Sequence, residues 1–441
     1  MQKKIFVLML SLVVLVFFLY FQNIEKTVIV AGTANPGKIM IYSFDGNRYK
    51  SYEIDTGYNL VWTVRIGDIY NRGKNVIVAG VGNSFFSTPF GCSLVAYEPT
   101  ANGWKKDVID SNVDIRCKDV AIGDVYNNGR NEIVLGTHGE GFVKVYKWDG
   151  TKWNSETLED NLIATTDAKL GMNHRVPTEN LTYNTTDQTA VHIVKIGDVD
   201  NDGKNEIVAT ISSSNEYQGN YSELAFLRMY KWNGSIWIKS DIDELTGIKF
   251  RATPAIGDAK NAGEKQLYVT GAPHLLLLYN LKNGNWTRSV IENQTQSSEI
   301  NMKAMDISKI ENKIQIIVAT GVTNAVIYSY GWDGSSFEKH FIANISEILQ
   351  SRNVSGLGDN SLSVHVADLN NDGKNEIVVG GESDTSANTY ISAQDKLGWE
   401  VTPYGFLVVY KYSGNNWKPE ILNENSVLGM DAGKLQIFSK S

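Results

Sequence analysis

In the stretch Asp198-Val199-Asp200-Asn201-Asp202-Gly203-Lys204-Asn205-Glu206, oxygen-bearing side chains stand at positions 1, 3, 5 and 9, with a glycine at position 6. A hard cation such as calcium takes roughly six to eight oxygen ligands at about 2.3–2.6 Å. A short loop meets that demand when alternate side chains turn inward and a glycine permits the sharp bend. Residues 191–197 lead into the loop and Ile207-Val208-Ala209-Thr210 leads out, both reading as short β-strands. The loop is therefore a tight strand-to-strand connection and not the centre of a helix-loop-helix.

The pattern recurs. Asp368-Leu369-Asn370-Asn371-Asp372-Gly373-Lys374-Asn375-Glu376 is nearly identical, and Asp124 through Glu132 keeps most of it. Asp68 through Val76, Asp258 through Gln266 and Asp306 through Lys313 are progressively worn copies. The leading aspartates follow one another at intervals of 48 to 74 residues. Self-similarity at such a period marks a repeat architecture, here with all-β units.

Each unit reads as a strand ending in Gly-Asp, the acidic turn, and an Ile-Val-x-Gly strand. A third strand ends in Tyr-x-aromatic-Asp/Asn-Gly, as at Tyr146–Gly150, Tyr230–Gly234, Tyr330–Gly334 and Tyr410–Gly414, and a fourth carries an aromatic soon after. Trp148, Trp232, Trp332 and Trp417 recur in that context and read as turn and core residues. Four antiparallel strands per unit repeated around a ring describe a β-propeller. Ile-Val-x-Gly strands begin near residues 28, 76, 132, 206, 266, 316 and 376, which predicts seven four-stranded blades. Val427-Leu428-Gly429-Met430-Asp431 resembles the missing Gly-Asp strand of the first unit, so the C-terminal strand is expected to complete the first blade and close the ring.

The chain has 441 residues, a formal net charge of −8 and no basic run beyond its extreme N-terminus, which argues against general affinity for nucleic acid or anionic lipid. Lys3-Lys4 precedes Ile5–Phe21, 17 residues without a charge, just long enough to cross a bilayer core. No small-residue cleavage pattern follows. Residues 1–23 are therefore expected to be an uncleaved signal anchor forming one transmembrane helix, and 24–441 a propeller outside the cytoplasm in a single-pass cell-membrane protein. A signal peptide cut at an atypical site is the alternative. Cys92 and Cys117 are consistent with one disulfide or with two buried thiols.

The repeats resemble the FG-GAP/VCBS type found in the propeller of integrin α subunits, whose acidic turns carry calcium. The resemblance covers residues 27–438. It implies side-chain ligands Asp198, Asp200, Asp202 and Glu206 in one site and Asp368, Asn370, Asp372 and Glu376 in another. Lys204 and Lys374 would contribute backbone carbonyls, and Asp124, Asn128 and Glu132 make a candidate third site. Tyr70, Arg72, Lys260, Ala262 and Lys309 stand where ligands belong, so those turns are expected to hold no ion. The calcium is expected to be structural. An Asp/Asn turn held by its own hydrogen bonds is the competing reading, and it fits the worn copies better.

Antiparallel strands put the acidic turns and the Asp/Asn-Gly turns on one face, and the long, variable connections on the other. Binding usually resides on such variable loops. Candidate contacts there are Phe85, Phe86, His174, Tyr217, Tyr390 and Trp399, with Trp62 at the start of an inner strand. Sequons at Asn180, Asn184, Asn220, Asn344 and Asn353 lie in or near the same loops as glycosylation candidates. Arg65, Lys195, Lys303 and His365 each precede a leading aspartate by three residues and read as a basic collar in the channel, or as channel lining paired with acids such as Asp119. No nucleophile elbow, metalloprotease or phosphate-loop motif occurs. The sequence thus predicts a membrane-anchored calcium-binding adhesion or recognition protein that takes a glycan or protein ligand. The alternatives are a lyase-like polysaccharide-processing enzyme and a structural subunit of an envelope complex.

Overall fold

The computed structural model describes residues 24–82, 91–114, 116–139, 141–160, 188–217, 220–246, 253–271, 274–294, 300–322, 325–345, 347, 363–382, 404–414 and 416–437. The first sheet joins β1 (Ile24–Phe44), β2 (Tyr49–Gly67), β3 (Val76–Gly82), β4 (Cys92–Thr100) and β5 (Gly103–Asp110) to β26 (Val427–Ile437), in the order β26-β1-β2-β3-β4-β5. The second contains β6 (Arg116–Gly123), β7 (Glu132–Gly139), β8 (Val143–Trp148) and β9 (Trp153–Glu159). It continues through β10 (Gln188–Gly197), β11 (Glu206–Tyr217), β12 (Asn220–Trp232) and β13 (Trp237–Thr246).

The other three sheets are four-stranded and run in sequence order. They are β14 (Pro254–Gly257), β15 (Gln266–Gly271), β16 (Leu275–Lys282) and β17 (Asn285–Asn293); β18 (Ile300–Ile310), β19 (Lys313–Val322), β20 (Val326–Trp332) and β21 (Phe337–Asn344); and β22 (Ser363–Ala367), β23 (Glu376–Glu382), β24 (Tyr404–Ser413) and β25 (Asn416–Asn425). All pairings are antiparallel.

Counted as hydrogen-bonded sheets, the propeller is five-bladed, which corrects the expectation of seven separate four-stranded blades. The reason is local. Thr33 Oγ1 accepts from the Lys38 amide at 3.0 Å and donates to the Pro36 carbonyl at 2.8 Å, so β1 bends without leaving its sheet. β2 likewise runs on past Gly57, at φ 100°, from its pairing with β1 into its pairing with β3. Thr189 and Ala190 of β10 pair with Gly139 and His138 of β7, welding the second sheet. β26 pairs with β1 from Ile24↔Ile437 to Thr33↔Val427, so both ends of the described chain share one sheet.

The expected membrane helix is corrected too. Among the described residues no helix is long and apolar enough to cross a membrane, so the single-pass placement has no support. Residues 1–23, to which it was assigned, lie outside the described residues.

The first strand of each repeat packs against the first strand of the next: β2, β6, β10, β14, β18 and β22 in succession, then β26, which returns to β2. The second strands are buried on both faces. Val76–Gly82 and Gln266–Gly271 are buried at every residue, which is why they read as unbroken apolar runs rather than alternating ones. Each fully buried Ile or Val here, such as Ile77 or Val134, contributes about 1.5–3 kcal/mol by leaving water. The outer strands carry the exposed apolar residues Val108, Val290 and Phe341.

Candidate metal turns and the channel rim

The acidic turns share one backbone. The fourth residue has a positive φ in each (Asn71 57°, Asn127 56°, Asn201 60°, Asn261 54°, Asn371 60°), a conformation that asparagine tolerates better than most residues. The leading aspartate then accepts from the turn's own amides. Asp68 takes the Arg72 and Gly73 amides at 3.0 and 2.5 Å, and Asp124 takes those of Asn128 and Gly129 at 2.9 and 2.6 Å. Asp258 takes Ala262 and Gly263 at 2.8 and 2.7 Å, and Asp368 takes Asp372 and Gly373 at 3.0 and 3.0 Å.

Asp198 differs. Its Oδ2 accepts from Gly203 at 3.1 Å, while Oδ1 is buried with no hydrogen-bond partner. Among the described residues, Asp198, Asp200 and Glu206 form the one acidic group whose oxygens all lie within 4.8 Å of one another. Glu206 is fully buried, and burial pushes its carboxyl up to about 7. Its Oε2 accepts from the Val199 amide at 3.0 Å, leaving Oε1 turned into the loop. Such a donor set fits a hard cation. The Lys231 ammonium lies in the same place, against Asp200, at 2.7 Å from Asp202 and 3.3 Å from Glu206 Oε1. It is a tethered monovalent counter-charge where a divalent ion would sit.

In the second full turn the Asn370 amide donates to Glu376 Oε1 at 2.8 Å and to Asp372 at 3.2 Å. The repeat's lysine, Lys411, turns away to Glu420 at 2.7 Å. In the third turn Glu132 Oε1 is buried without a partner and the carboxyl is held at about 7 by burial. No carboxylate fills its third position. Tyr126 stands there, packs edge-on to Trp232 at 5.0 Å and donates to Glu156 at 2.8 Å. Tyr70 does the same against Trp148 at 5.2 Å, and Lys260 lies 4.9 Å above Trp332. The third turn position is thus either a ligand or an anchor onto the next repeat's tryptophan, which gives the recurrent tryptophans their packing role.

The asparagines have a use that ligand spacing did not reveal. Asn127 Oδ1 accepts from the Asn205 amide at 2.7 Å and its Nδ2 donates to the Asn205 carbonyl at 3.2 Å, while Asn205 Nδ2 donates to the Asp124 carbonyl at 3.0 Å. Asn71 and Asn131 repeat this at 2.6 and 3.1 Å, and Asn201 pairs with Lys265 at 2.8 and 2.9 Å. The fourth and eighth turn residues therefore staple the repeats together at three successive joints. The recurrence of Asn at both positions was the available signal.

A second inter-repeat contact also escaped the sequence. Buried tyrosines donate to a carboxylate of the preceding repeat that a cation also holds. Tyr97 reaches Asp55 (2.6 Å) with Lys106, Tyr146 reaches Asp110 (2.8 Å) with Lys144, and Tyr330 reaches Glu292 (2.6 Å) with Lys339.

The basic collar does not form as expected. Asp306 proves not to be a leading aspartate. Its partner Ile317 puts it in register with Arg65 (opposite Val78), Lys195 (opposite Val208), His365 (opposite Val378) and Asp431 (opposite Val30). Cations and carboxylates therefore share one level. Arg65 pairs with Asp119 at 2.6 Å, and His365 Nε2 lies 2.9 Å from the Met430 carbonyl. Burial lowers the Lys195 and His365 pKa values, with the Arg65 charge adding to both.

At the end of the ring where the long connections emerge, Trp62 is buried under Arg116 and Lys118, at 4.9 and 5.1 Å from its ring. Of the loop candidates, Phe85, Phe86, His174, Tyr390 and Trp399 lie outside the described residues, and Tyr217 ends β11. Asn220 opens β12, Asn344 donates to Glu347 at 3.0 Å, and Asn180, Asn184 and Asn353 lie outside the described residues.

No known protein family and no curated protein sequence matches the chain. Solved structures resemble it in fold. A lectin of Agrocybe aegerita that recognises non-reducing terminal N-acetylglucosamine superposes with a TM-score of 0.50 at 11% identity, over 94% of this chain and 96% of its own. A candidate 6-phosphogluconolactonase of Bacteroides fragilis superposes with a TM-score of 0.52 at 8% identity, over 93% and 98%. Likeness at such identities establishes the fold alone: the chain is a β-propeller.

Proposed function

We propose that this protein is a glycan-binding propeller whose acidic turns, of FG-GAP/VCBS type, carry structural calcium. The observation that carries the reading is the asymmetry of the connections. The acidic turns, 68–75, 124–131, 198–205, 258–265 and 368–375, are uniform in length, and the first four are stapled in succession. The connections at the opposite end include 83–91, 160–187, 345–362 and 383–403 and are of unequal length. A rigid ring that keeps its variation at one end suits the presentation of a ligand surface. The likeness in fold to a lectin supports a glycan as that ligand.

In this reading calcium enters the Asp198 turn by displacing Lys231 from Asp200, Asp202 and Glu206. The Asp368 turn is the second site, with Asn370 turning its oxygen inward. Residues Asp124, Asn128 and Glu132 offer a weaker third set, since Tyr126 stands at the third position and packs onto Trp232 instead of offering a carboxylate. The ion would neutralise buried carboxylates without taking part in any reaction.

The test is binding of the full-length chain to a glycan panel, with calcium and with EDTA. Retention of a defined glycan without release of cleaved product is the expected result. Cleavage, with new reducing or unsaturated ends, would replace the reading with an enzyme. Silence across the panel would leave a structural subunit.

A further inference from the structure

The three acidic turns that end in glutamate each face a lysine on the third strand of their repeat. Tyr146, Tyr230 and Tyr410 pair with Ile133, Ile207 and Ile377, which brings Lys147, Lys231 and Lys411 level with Glu132, Glu206 and Glu376. The same ammonium meets three different fates. Lys147 lies over the Tyr126 ring, at 5.2 Å from its centre. Lys231 sits among the carboxylates of its turn, 2.7 Å from Asp202 and 3.3 Å from Glu206 Oε1. Lys411 leaves its turn, pairs with Glu420 at 2.7 Å and lies 4.8 and 4.9 Å from the Phe44 and Tyr49 ring centres.

The neighbours decide between the last two. Glu420 stands opposite Val409, two residues before Lys411, whereas Ser240 holds that place beside Lys231, opposite Met229. Phe44 and Tyr49 face each other across the first sheet and pack at 5.2 Å. The repeat that follows Lys231 has Leu281 and Trp286 in those places, and a leucine offers no ring face to an ammonium. The turns differ as well. Asp200 gives Lys231 a carboxylate, while Asn370 leaves its place uncharged and donates to Glu376 Oε1 at 2.8 Å. Glu376 is buried, and Tyr49 Oη is buried without a hydrogen-bond partner. Burial raises the Tyr49 pKa, and the charges of Glu376, Glu420, Asp368 and Asp372 raise it further, so this hydroxyl lies in the field of the Asp368 turn.

We propose that Lys411 gates the Asp368 turn: Phe44, Tyr49 and Glu420 hold its ammonium aside, so this turn takes calcium more tightly than the Asp198 turn, where Lys231 competes for the carboxylates. The proposal rests on the calcium reading and names residues outside the ligand sets that fix the affinity of each site. Cation–π attraction and a charge-assisted hydrogen bond together oppose the return of Lys411 to its turn. Phe44 and Tyr49 belong to the first sheet, so the gate spans the joint between that sheet and the β22–β25 sheet. This joint lacks the tyrosine–carboxylate–cation contact made at Asp55, Asp110 and Glu292. Asn423 stands opposite Leu407 as Glu292 stands opposite Leu276, and its Nδ2 is buried without a partner. Opening the joint would free Lys411 to fall onto Glu376, so calcium in the turn and a closed joint favour one another.

The test is calorimetric titration of the full-length chain, stripped with EDTA, with calcium alone. One calcium is expected to bind about tenfold more tightly than the next, the scale set by one ion pair and its cation–π contacts. Asp372→Asn should remove the tighter site and Asp198→Asn the weaker one, an assignment made in chains whose gate is untouched. Phe44→Leu combined with Glu420→Ser copies the surroundings of Lys231 and should weaken the tighter site by about tenfold. Adding Lys411→Met should restore it, which a merely structural loss would not allow. Calcium should also slow backbone hydrogen exchange over residues 39–44 in the parent and not in the paired variant. A tighter Asp198 site, indifference to the paired substitution, or exchange that ignores calcium overturns the gate and leaves the calcium reading standing. No calcium bound by the parent or by Lys411→Met overturns both.

Discussion

Lys231, inside one repeat, and Glu292, at the joint between two, show how single side chains settle the local balance of charge. The Lys231 ammonium occupies the carboxylates that a calcium ion would use. Lys231→Met should therefore raise the calcium affinity of the Asp198 turn, read by titration, and deepen the loss of melting temperature in EDTA. At tenfold excess over Kd a site gives about 1.4 kcal/mol of stabilisation, and Asp198→Asn should abolish that share. No change in melting temperature between calcium and EDTA, in either variant or in the parent, would remove calcium from the account.

Glu292 behaves in the opposite way to Glu206. Burial raises its pKa, but donors from His274, Lys339 and Tyr330 outweigh burial and hold the carboxyl down at about 2, against an ordinary 4.5. A folded-state pKa below the unfolded one contributes stability above pH 4.5 that is lost as pH falls toward 2, at about 1.4 kcal/mol for each tenfold change in proton affinity. Acid unfolding followed between those limits should be steeper for the parent than for Glu292→Gln. Tyr330→Phe should cost about 1–3 kcal/mol at neutral pH by removing a charge-assisted hydrogen bond.

Among the elements, the turns were legible and the bulges were not. Alternating oxygens and a fixed glycine announce a sharp acidic turn, because few other residues tolerate that backbone. The same letters concealed the division of labour within it, since Asn127 and Asn205 bond to a neighbour that only the folded ring supplies. Asn127→Gly keeps the positive φ accessible while removing the staple, so its cost, expected at about 1–3 kcal/mol by chemical denaturation, isolates those hydrogen bonds. Asp306 was misplaced by three residues for a related reason. Its turn has lost its glycine, and Glu311 and Asn312 make the reversal instead, at φ 47° and 71°. The bulges that leave Trp62, Lys118 and His192 out of the ladders of β2, β6 and β10 left no trace, because those residues have nothing in common but their place opposite the next strand.

Cys92 and Cys117 stood open between bridge and thiols. The structure joins them, with Cα atoms 5.5 Å apart and a separation of 25 positions along the sequence. Closing a loop of that size is worth about 3.5 kcal/mol in the chain-entropy account, so reduction should lower the melting temperature. Cys117→Ala should make the protein indifferent to reductant.

At the scale of the molecule, periodicity carried the fold class, since apolar second strands and polar outer ones repeat along the chain. It did not carry the number of sheets. That depends on whether a strand breaks or bends at its turn, and in β1 a single threonine, Thr33, keeps the bend within the sheet. The connections proposed to meet a ligand were legible only as long and variable, because their lengths say where binding belongs and not what is bound.

The pairing of β26 with β1 fixes an order of events. Of the described strands β1 leaves the ribosome first and its partner β26 last, so its edge waits while the 24 strands between them are made. Loop-closure entropy grows only logarithmically, by about 0.6 kcal/mol per doubling of length, so the wait is a matter of time and not of free energy. Until the last strand arrives, the nascent chain is an arc with an unpaired apolar edge from Val28 to Gly32. Such an edge can capture another strand. A chain interrupted before Val427 would keep that edge open and offer it to a neighbour in the same polysome.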